Sequence, residues 1–177
     1  IDGYGYIQIP MMGTVTMSSL KEVGGQFYLS GNLTGCDLPL VSKVCCSTSP
    51  VYHSEGMGAF AITLQSKSLN LPELLHVGGE GLFINQATGI TCDKLQTIDG
   101  TLQIKRATSL SQETFSMKKL ETLHGVVFDG LTKFTDYTFF GKFIENGMIT
   151  GESWSVTKCG YNPTFQNMKD KQYTQQD

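Results

Sequence analysis

The amino-acid sequence predicts a mainly β protein, folded as a single-domain, right-handed β-solenoid. A short phrase recurs four times, at residues 20–25, 74–79, 95–100 and 120–125. In each copy a leucine is followed by an aliphatic residue three positions later and then by one or two glycines. A run of alternating apolar residues comes soon after each phrase, which is typical of a half-buried strand. These three observations carry the prediction.

The spacing of the phrases sets the size of one coil. Leu74 and Leu95 are 21 residues apart, and Leu20 lies the same distance before Val41, which begins a less regular copy. Leu120 follows Leu95 by 25 residues. Self-similarity with a period of about 20–25 residues indicates a solenoid, here with about five leucine-rich-repeat-like coils.

Two coils are longer than the others. Residues 109–115 lengthen the coil that ends at the fourth phrase. A polar segment at 45–57 interrupts the second coil, and its strand resumes at 59–64. We expect the polar segment to form a loop that leaves the stack and returns to it.

A single coil cannot bury its own apolar edge, so neighbouring coils must stack around one shared core. The alternation selects the strand residues that point inward. They are Phe27, Leu29, Phe60, Ile62, Leu64, Leu82, Ile84, Leu102, Ile104, Val126 and Phe128. The glycines suit a backbone that must bend. One extra residue between Val77 and Leu82 predicts a β-bulge.

The domain prediction is one β-solenoid over residues 1–165, followed by a polar, frayed tail at 166–177. Within the solenoid, 1–17 forms an N-terminal capping strand that pairs with the first coil, and 18–130 forms the repeat coils. Residues 131–165, rich in aromatic side chains, form a C-terminal cap with its own small core.

The C-terminal cap is predicted to contain a β-hairpin at 142–150. Asn146 and Gly147 occupy the centre of this stretch, and Asn-Gly is the preferred pair for a type I′ turn.

The composition and net charge argue against some classes of binding partner. An apolar fraction of 40% with a charged fraction of 16% indicates a folded chain. A net charge of −3 argues against nucleic acid, because such proteins usually carry a basic stripe. No run approaches the roughly 18 apolar residues of a membrane helix, so we expect no membrane insertion by this chain. Its start at Ile1 is expected of a processed or cut product, which leaves assembly with other domains or chains open.

The cysteines and histidines predict no metal site and no cofactor. The five cysteines have no metal-ligand spacing, and an odd number leaves at least one thiol free. They are expected to be small buried side chains, with one disulfide between neighbouring coils as the alternative. His76 and His124 do not fall at equivalent positions of their coils, and His53 lies in the polar segment.

The motif Leu-Pro-x-Leu-x-x-Val-Gly-Gly, followed by an alternating strand, carries a resemblance to a known family. It stands at residues 71–79, with Leu82 and Ile84 after it. This pattern resembles the leucine-rich-like repeats of receptor L-domains and related surface β-solenoids. Such domains are mostly extracellular recognition modules. The resemblance therefore implies a secreted or cell-surface protein that binds a ligand and is not an enzyme.

The strand residues that point outward are the candidate binding residues. In register they would form a flat row that includes aromatic side chains, which suits protein or carbohydrate recognition. The predicted binding residues are Gln26, Tyr28, Thr63, Phe83, Gln103 and Lys105. The alternative is that the loop at 45–57 or a neighbouring chain covers this row.

The first functional hypothesis is a non-enzymatic recognition or adhesion module for a protein or glycan. A carbohydrate-active β-helical enzyme is the second, because Glu22, Asp99, Glu121 and Asp129 could supply paired carboxylates. The third is a structural component of a surface fibre or phage appendage. We predict no catalytic residue, since scattered acids near bends most simply solvate turns.

Overall fold

The computed structural model describes residues 5–45 and 59–175. The described part contains eleven β-strands. They are β1 (Gly5–Thr16), β2 (Glu22–Val23), β3 (Phe27–Asp37), β4 (Lys43–Val44), β5 (Phe60–Asn70), β6 (His76–Val77), β7 (Gly81–Thr91), β8 (Thr97–Lys105), β9 (Phe115–Ser116), β10 (Thr122–Asp129) and β11 (Trp154–Thr157). Two helices follow the coils, α1 (Thr138–Glu145) and α2 (Phe165–Lys169).

All strand pairs of the sheet are parallel, and together they wind a β-solenoid of about five turns. The long strands pair in the order β1-β3-β5-β7-β8-β10-β11. The short strands β2, β4 and β6 pair on a second face and continue into β8. In the earlier coils a bend separates the short strand from the long strand. In the two later coils β8 and β10 each continue through the equivalent position as one strand. The mainly β solenoid fold is therefore confirmed.

The predicted inward residues stack in register along the long strands. One such column consists of Leu29, Ile62, Ile84, Ile104 and Phe128, and the register continues it to Val156. Its first five members are almost completely buried. Burying a side chain of this size stabilises the fold by about 1.5–3 kcal/mol. A second column begins with Phe27 and Phe60, whose ring centroids are 5.6 Å apart.

Each repeated phrase is preceded by a tight turn that ends at the first leucine of the phrase. The N–H of Leu74 donates to the carbonyl of Leu71 at 3.3 Å, and Leu95 donates to Cys92 at 3.1 Å. These residues are fully buried, so the turn projects two apolar side chains into the core while its two central residues face solvent. This geometry explains the spacing of three between the apolar residue before each phrase and the leucine that begins it.

The predicted bulge is present in the third coil. Val77 pairs with Ile98 and Gly81 with Thr101, so four steps on one coil oppose three on the next. The extra residue requires glycine, because Gly81 has a φ of +104° and its backbone lies directly against Thr101.

A left-handed corner, which was not predicted from the sequence, lies within β5 and β7 and directly after β8 and β11. Ser66, Gln86, Arg106 and Lys158 occupy it in successive parts of the stack, with φ between 52° and 62°. Such a backbone costs on the order of 1 kcal/mol or more for each non-glycine residue. The corner separates the outward-facing part of each long strand from the segment that leads to the next turn.

The N-terminal strand pairs as predicted. Strand β1 is parallel to β3, with Gly5 opposite Phe27 and Thr16 opposite Asp37. The predicted loop at 45–57 lies outside the described residues except for Cys45. The strand after it, β5, begins at Phe60.

The hairpin predicted at 142–150 is wrong. Residues up to Glu145 belong to α1, and Asn146 and Gly147 end this helix instead of forming a turn between strands. Gly147 has a φ of +76°, and its N–H donates to the carbonyl of Ile144 at 3.1 Å. Asn-Gly supplies the same left-handed conformation to a helix end and to a hairpin. The helix before it buries Phe140, Phe143 and Ile144 in the core, and this packing decides the outcome.

The frayed tail predicted from residue 166 is also wrong for the described residues. Helix α2 buries Met168, and the N–H of Tyr137 donates to the carbonyl of Tyr173 at 3.0 Å. Asp136 and Thr174 form an antiparallel bridge. Met168 and the partly buried Phe165 and Tyr173 dock this segment on the core.

Four cysteines are free thiols, and Cys46 lies outside the described residues. Cys92 is completely buried. Burial is the main cause that raises the pKa of the Cys36 and Cys92 thiols to about 12. The expectation of small buried side chains therefore holds for Cys92, and both thiols stay protonated at neutral pH.

Candidate functional site

The register of the long strands places one side chain of each coil in a single outward-facing row, termed here the outer row. Its members are Tyr28, Ala61, Phe83, Gln103, Val127 and Ser155. Tyr28 is 2% exposed and Ala61 is 6% exposed, whereas the row becomes partly exposed at Phe83 and exposed at Ser155. A ligand can therefore contact this row only from Phe83 onward.

The expectation that Gln26 and Tyr28 are exposed is wrong. Gln26 has no exposed surface, and Tyr28 is nearly as buried. Alternation along a strand determines the face on which a side chain lies, but it does not determine what packs over that face. The loop at 45–57, the alternative cover for this row, lies outside the described residues apart from Cys45.

The structure brings three of the other predicted residues together. Phe83 pairs in register with Gln103, and the Lys105 ammonium lies 5.8 Å from the centroid of the Phe83 ring. A cation at this distance from a ring face is attracted by about 0.5–1 kcal/mol. Thr63 lies two coils away from Lys105, with Asn85 between them. All four predicted residues are partly exposed.

Asn85 is a polar residue of this region that sequence reasoning missed. It is only 8% exposed, and its side-chain oxygen has no hydrogen-bond partner among the described residues. An unpaired buried acceptor costs about 1–3 kcal/mol. Unpaired buried polar atoms are rare in folded proteins and require a local explanation. The unpaired oxygen of Asn85 belongs to a residue that neighbours Phe83 and Lys105.

Three of the four acids considered for hydrolysis are engaged with a neighbouring coil. Each of these three accepts a hydrogen bond from, or pairs with, a side chain on the preceding or the following coil. The partners are Lys43 for Glu22 (3.7 Å), His76 for Asp99 (2.7 Å) and Thr157 for Asp129 (2.9 Å). Glu121 is exposed. Exposed pairs of this type contribute about 0–1 kcal/mol each, so they act mainly as weak ties between coils.

A pocket of about 200 Å³ opens where the lengthened coil meets the C-terminal segment. Its lining combines aromatic and polar side chains, including Gln112, Phe115, Lys118, Asp136, Thr138 and Phe139. Sequence reasoning missed this pocket. The available signals were the insertion at 109–115 and the density of aromatic residues after 131, but neither shows that the two segments meet.

Comparison with known proteins identifies no relative: no family model matches this chain, and no curated protein or solved structure is similar to it. Within residues 5–45 and 59–175, no group of three or more acidic, histidine or cysteine side chains could hold a metal ion. In the same part of the chain, no helix is long and apolar enough to cross a membrane.

Proposed function

We propose that this chain is a non-enzymatic recognition and adhesion module that acts outside the cell or at a cell surface. Its ligand, a protein or a carbohydrate, lies across the outer face. This face consists of the partly exposed side chains Phe83, Gln103, Lys105, Val127 and Asp129. The observation that supports the proposal is the placement of an aromatic ring beside amide and charged groups on adjacent parallel strands.

The energetics of recognition favour this face over a loop surface. Strands β7, β8 and β10 are paired in parallel on both sides, so their backbones do not have to become ordered when a ligand binds. Binding free energy is lost when side chains and loops must be immobilised. Phe83 provides the kind of aromatic anchor that dominates binding energy, and the polar neighbours provide specificity.

A receptor L-domain-like relationship is the finer part of this proposal. The repeated phrase with its leucine turn, glycine bend and following strand supports it. The solenoid architecture is compatible with that relationship.

The test is a binding screen of the full chain on an array of glycans and an array of cell-surface protein ectodomains. We expect a specific signal that Phe83→Ala and Gln103→Ala reduce at least tenfold. Gln96→Ala is the matched control, because Gln96 is an exposed glutamine just before β8, outside the outer face. It should leave the signal unchanged.

Three outcomes contradict the proposal. The first is absence of binding on both arrays. The second is a signal that survives Phe83→Ala and Gln103→Ala at full strength. The third is turnover of a polysaccharide substrate, which would instead support the carbohydrate-active enzyme.

A further inference from the structure

We propose that the pocket between the lengthened coil and the C-terminal segment binds a single neutral sugar ring, as a site separate from the outer face. Phe115 and Phe139 provide its apolar wall, and Gln112, Asp136 and Thr138 provide polar groups beside that wall. The arrangement of the rings, the hydrogen-bonding capacity of the polar groups and the balance of charge all favour such a ligand.

The apolar wall is held in a fixed geometry. The ring of Phe115 lies 5.8 Å from Phe134 and 5.7 Å from Phe139, both in edge-to-face contact. Edge-to-face pairs are favourable and restrict ring rotation. Phe134 is buried, whereas Phe115 and Phe139 remain partly exposed. A ligand therefore meets a preformed aromatic wall, against which the C–H face of a sugar ring can pack.

The polar side of the pocket offers both acceptors and donors. One carboxylate oxygen of Asp136 accepts from the backbone N–H of Thr138 at 2.8 Å and from its hydroxyl at 2.6 Å. A carboxylate accepts about four hydrogen bonds, so Asp136 is oriented by these contacts and keeps acceptor capacity. The side-chain oxygen of Gln112 accepts from the N–H of Thr135 at 3.4 Å, which leaves its NH₂ group as a donor. A sugar hydroxyl both donates and accepts hydrogen bonds, so it requires an acceptor and a donor in the pocket.

The charge of the lining favours a neutral ligand. The lining contains one carboxylate, that of Asp136, and one cation, the ammonium group of Lys118. Lys118 is 75% exposed, and its ammonium pairs with Asp93 at 2.9 Å. An anionic ligand would meet the carboxylate of Asp136, and a cationic ligand would meet Lys118. Neither charge sign is selected, in contrast to a phosphate or ammonium site.

The size of the pocket limits the ligand. Pockets for drug-sized molecules measure about 300–1,000 Å³. The volume of about 200 Å³ found here fits a smaller compound. One ring with an apolar face and several hydroxyls satisfies the size, the aromatic wall and the mixed polar groups together.

The experiment is saturation-transfer NMR on the full chain with the methyl glycosides of glucose, galactose, mannose and N-acetylglucosamine. Glucuronate and glucosamine serve as the anionic and cationic comparisons. We expect at least one neutral glycoside to bind, with both charged sugars weaker. Gln112→Ala and Asp136→Asn should each weaken binding roughly tenfold, the effect of losing one good hydrogen bond. Gln96→Ala, outside the pocket, should not change it.

The outcomes separate this site from the outer face. No response to any neutral glycoside overturns the proposal, as does a response that persists at full strength in Gln112→Ala and Asp136→Asn. A stronger response to glucuronate or glucosamine contradicts the charge argument. If Phe83→Ala removes the response, the sugar belongs to the outer face and not to this pocket.

Discussion

Gly81 and Thr101 lie on neighbouring coils with no room for a side chain between them. A Cβ atom on Gly81 would stand 2.2 Å from the Thr101 carbonyl oxygen and 2.6 Å from its nitrogen. The opposing atoms are backbone, so they cannot turn aside as a flexible side chain would. The third and fourth coils can therefore approach this closely only because residue 81 has no Cβ atom.

We predict that Gly81→Ala lowers the free energy of unfolding by roughly 3 kcal/mol or more, since it adds backbone overlap to an unfavourable φ. Gly147→Ala is the matched control. Gly147 also has a positive φ, +76°, but nothing lies within 4 Å of its Cβ position. That variant should lose only about 1 kcal/mol. Urea unfolding of both variants gives the comparison, and equal losses would contradict the close approach.

The alternation of β8 predicts opposite outcomes for adjacent residues. Leu102 is completely buried and Gln103 is partly exposed. Leu102→Ala should cost about 2–5 kcal/mol because it leaves a cavity in the shared core. Gln103→Ala should stay within about 0.5 kcal/mol of the unchanged chain. Chemical denaturation measures both, and a large loss in Gln103→Ala would also disqualify it as a binding variant.

Replacing Asn85 should separate stability from recognition. Asn85→Val removes the unpaired buried oxygen and introduces a residue that suits a strand. We expect the free energy of unfolding to rise by about 1 kcal/mol, while binding at the outer face weakens because the polar surroundings of Phe83 and Lys105 change. Thermal unfolding and the array signal are measured on the same sample. A destabilised variant would show that the oxygen is better satisfied than its surroundings indicate.

Asp93 makes the fold sensitive to acid. Hydrogen bonds from the Ser116 hydroxyl and the Lys118 ammonium lower the pKa of its carboxyl below the usual value. The stability that Asp93 contributes is therefore present above its unfolded pKa, about 3.9, and is lost as the pH falls through the folded pKa.

Asp93→Asn should accordingly flatten the dependence of unfolding free energy on pH below about pH 4. Lys118→Met removes only one of the two partners and should give an intermediate slope. Urea unfolding at a series of acidic pH values provides the slopes. An unchanged slope in Asp93→Asn would show that other carboxyl groups account for the acid sensitivity.

The stacked core was predictable because its determinants are local. Leu29, Ile84 and Ile104 fall in register and are buried, as the alternation and the coil period indicate. The side chains of a strand alternate with a period of two, and the coils repeat after a nearly constant number of residues. Both periods can be read from a single sequence. The bulge before Leu82 was predictable for the same reason, since it is a difference of one residue between two copies.

The remaining features depend on which segments meet. Burial of Tyr28 depends on what packs over its face, and no periodicity encodes that. Gly147 fits a hairpin turn and a helix end equally well, so only the packing of the preceding helix decides between them. The pocket combines residues from 112–118 with residues from 134–139, and their meeting is a tertiary contact without a local signature.

The equivalence of Leu74 and Leu95 has a consequence for the length of this protein. Residues 74–94 form one complete turn of the winding, so deleting or duplicating them joins positions that are already alike. Such a chain gains or loses about 4.8 Å between its two ends, the spacing of one strand. The length of the solenoid can thus change in evolution by one coil at a time, while the two terminal segments keep their sequences.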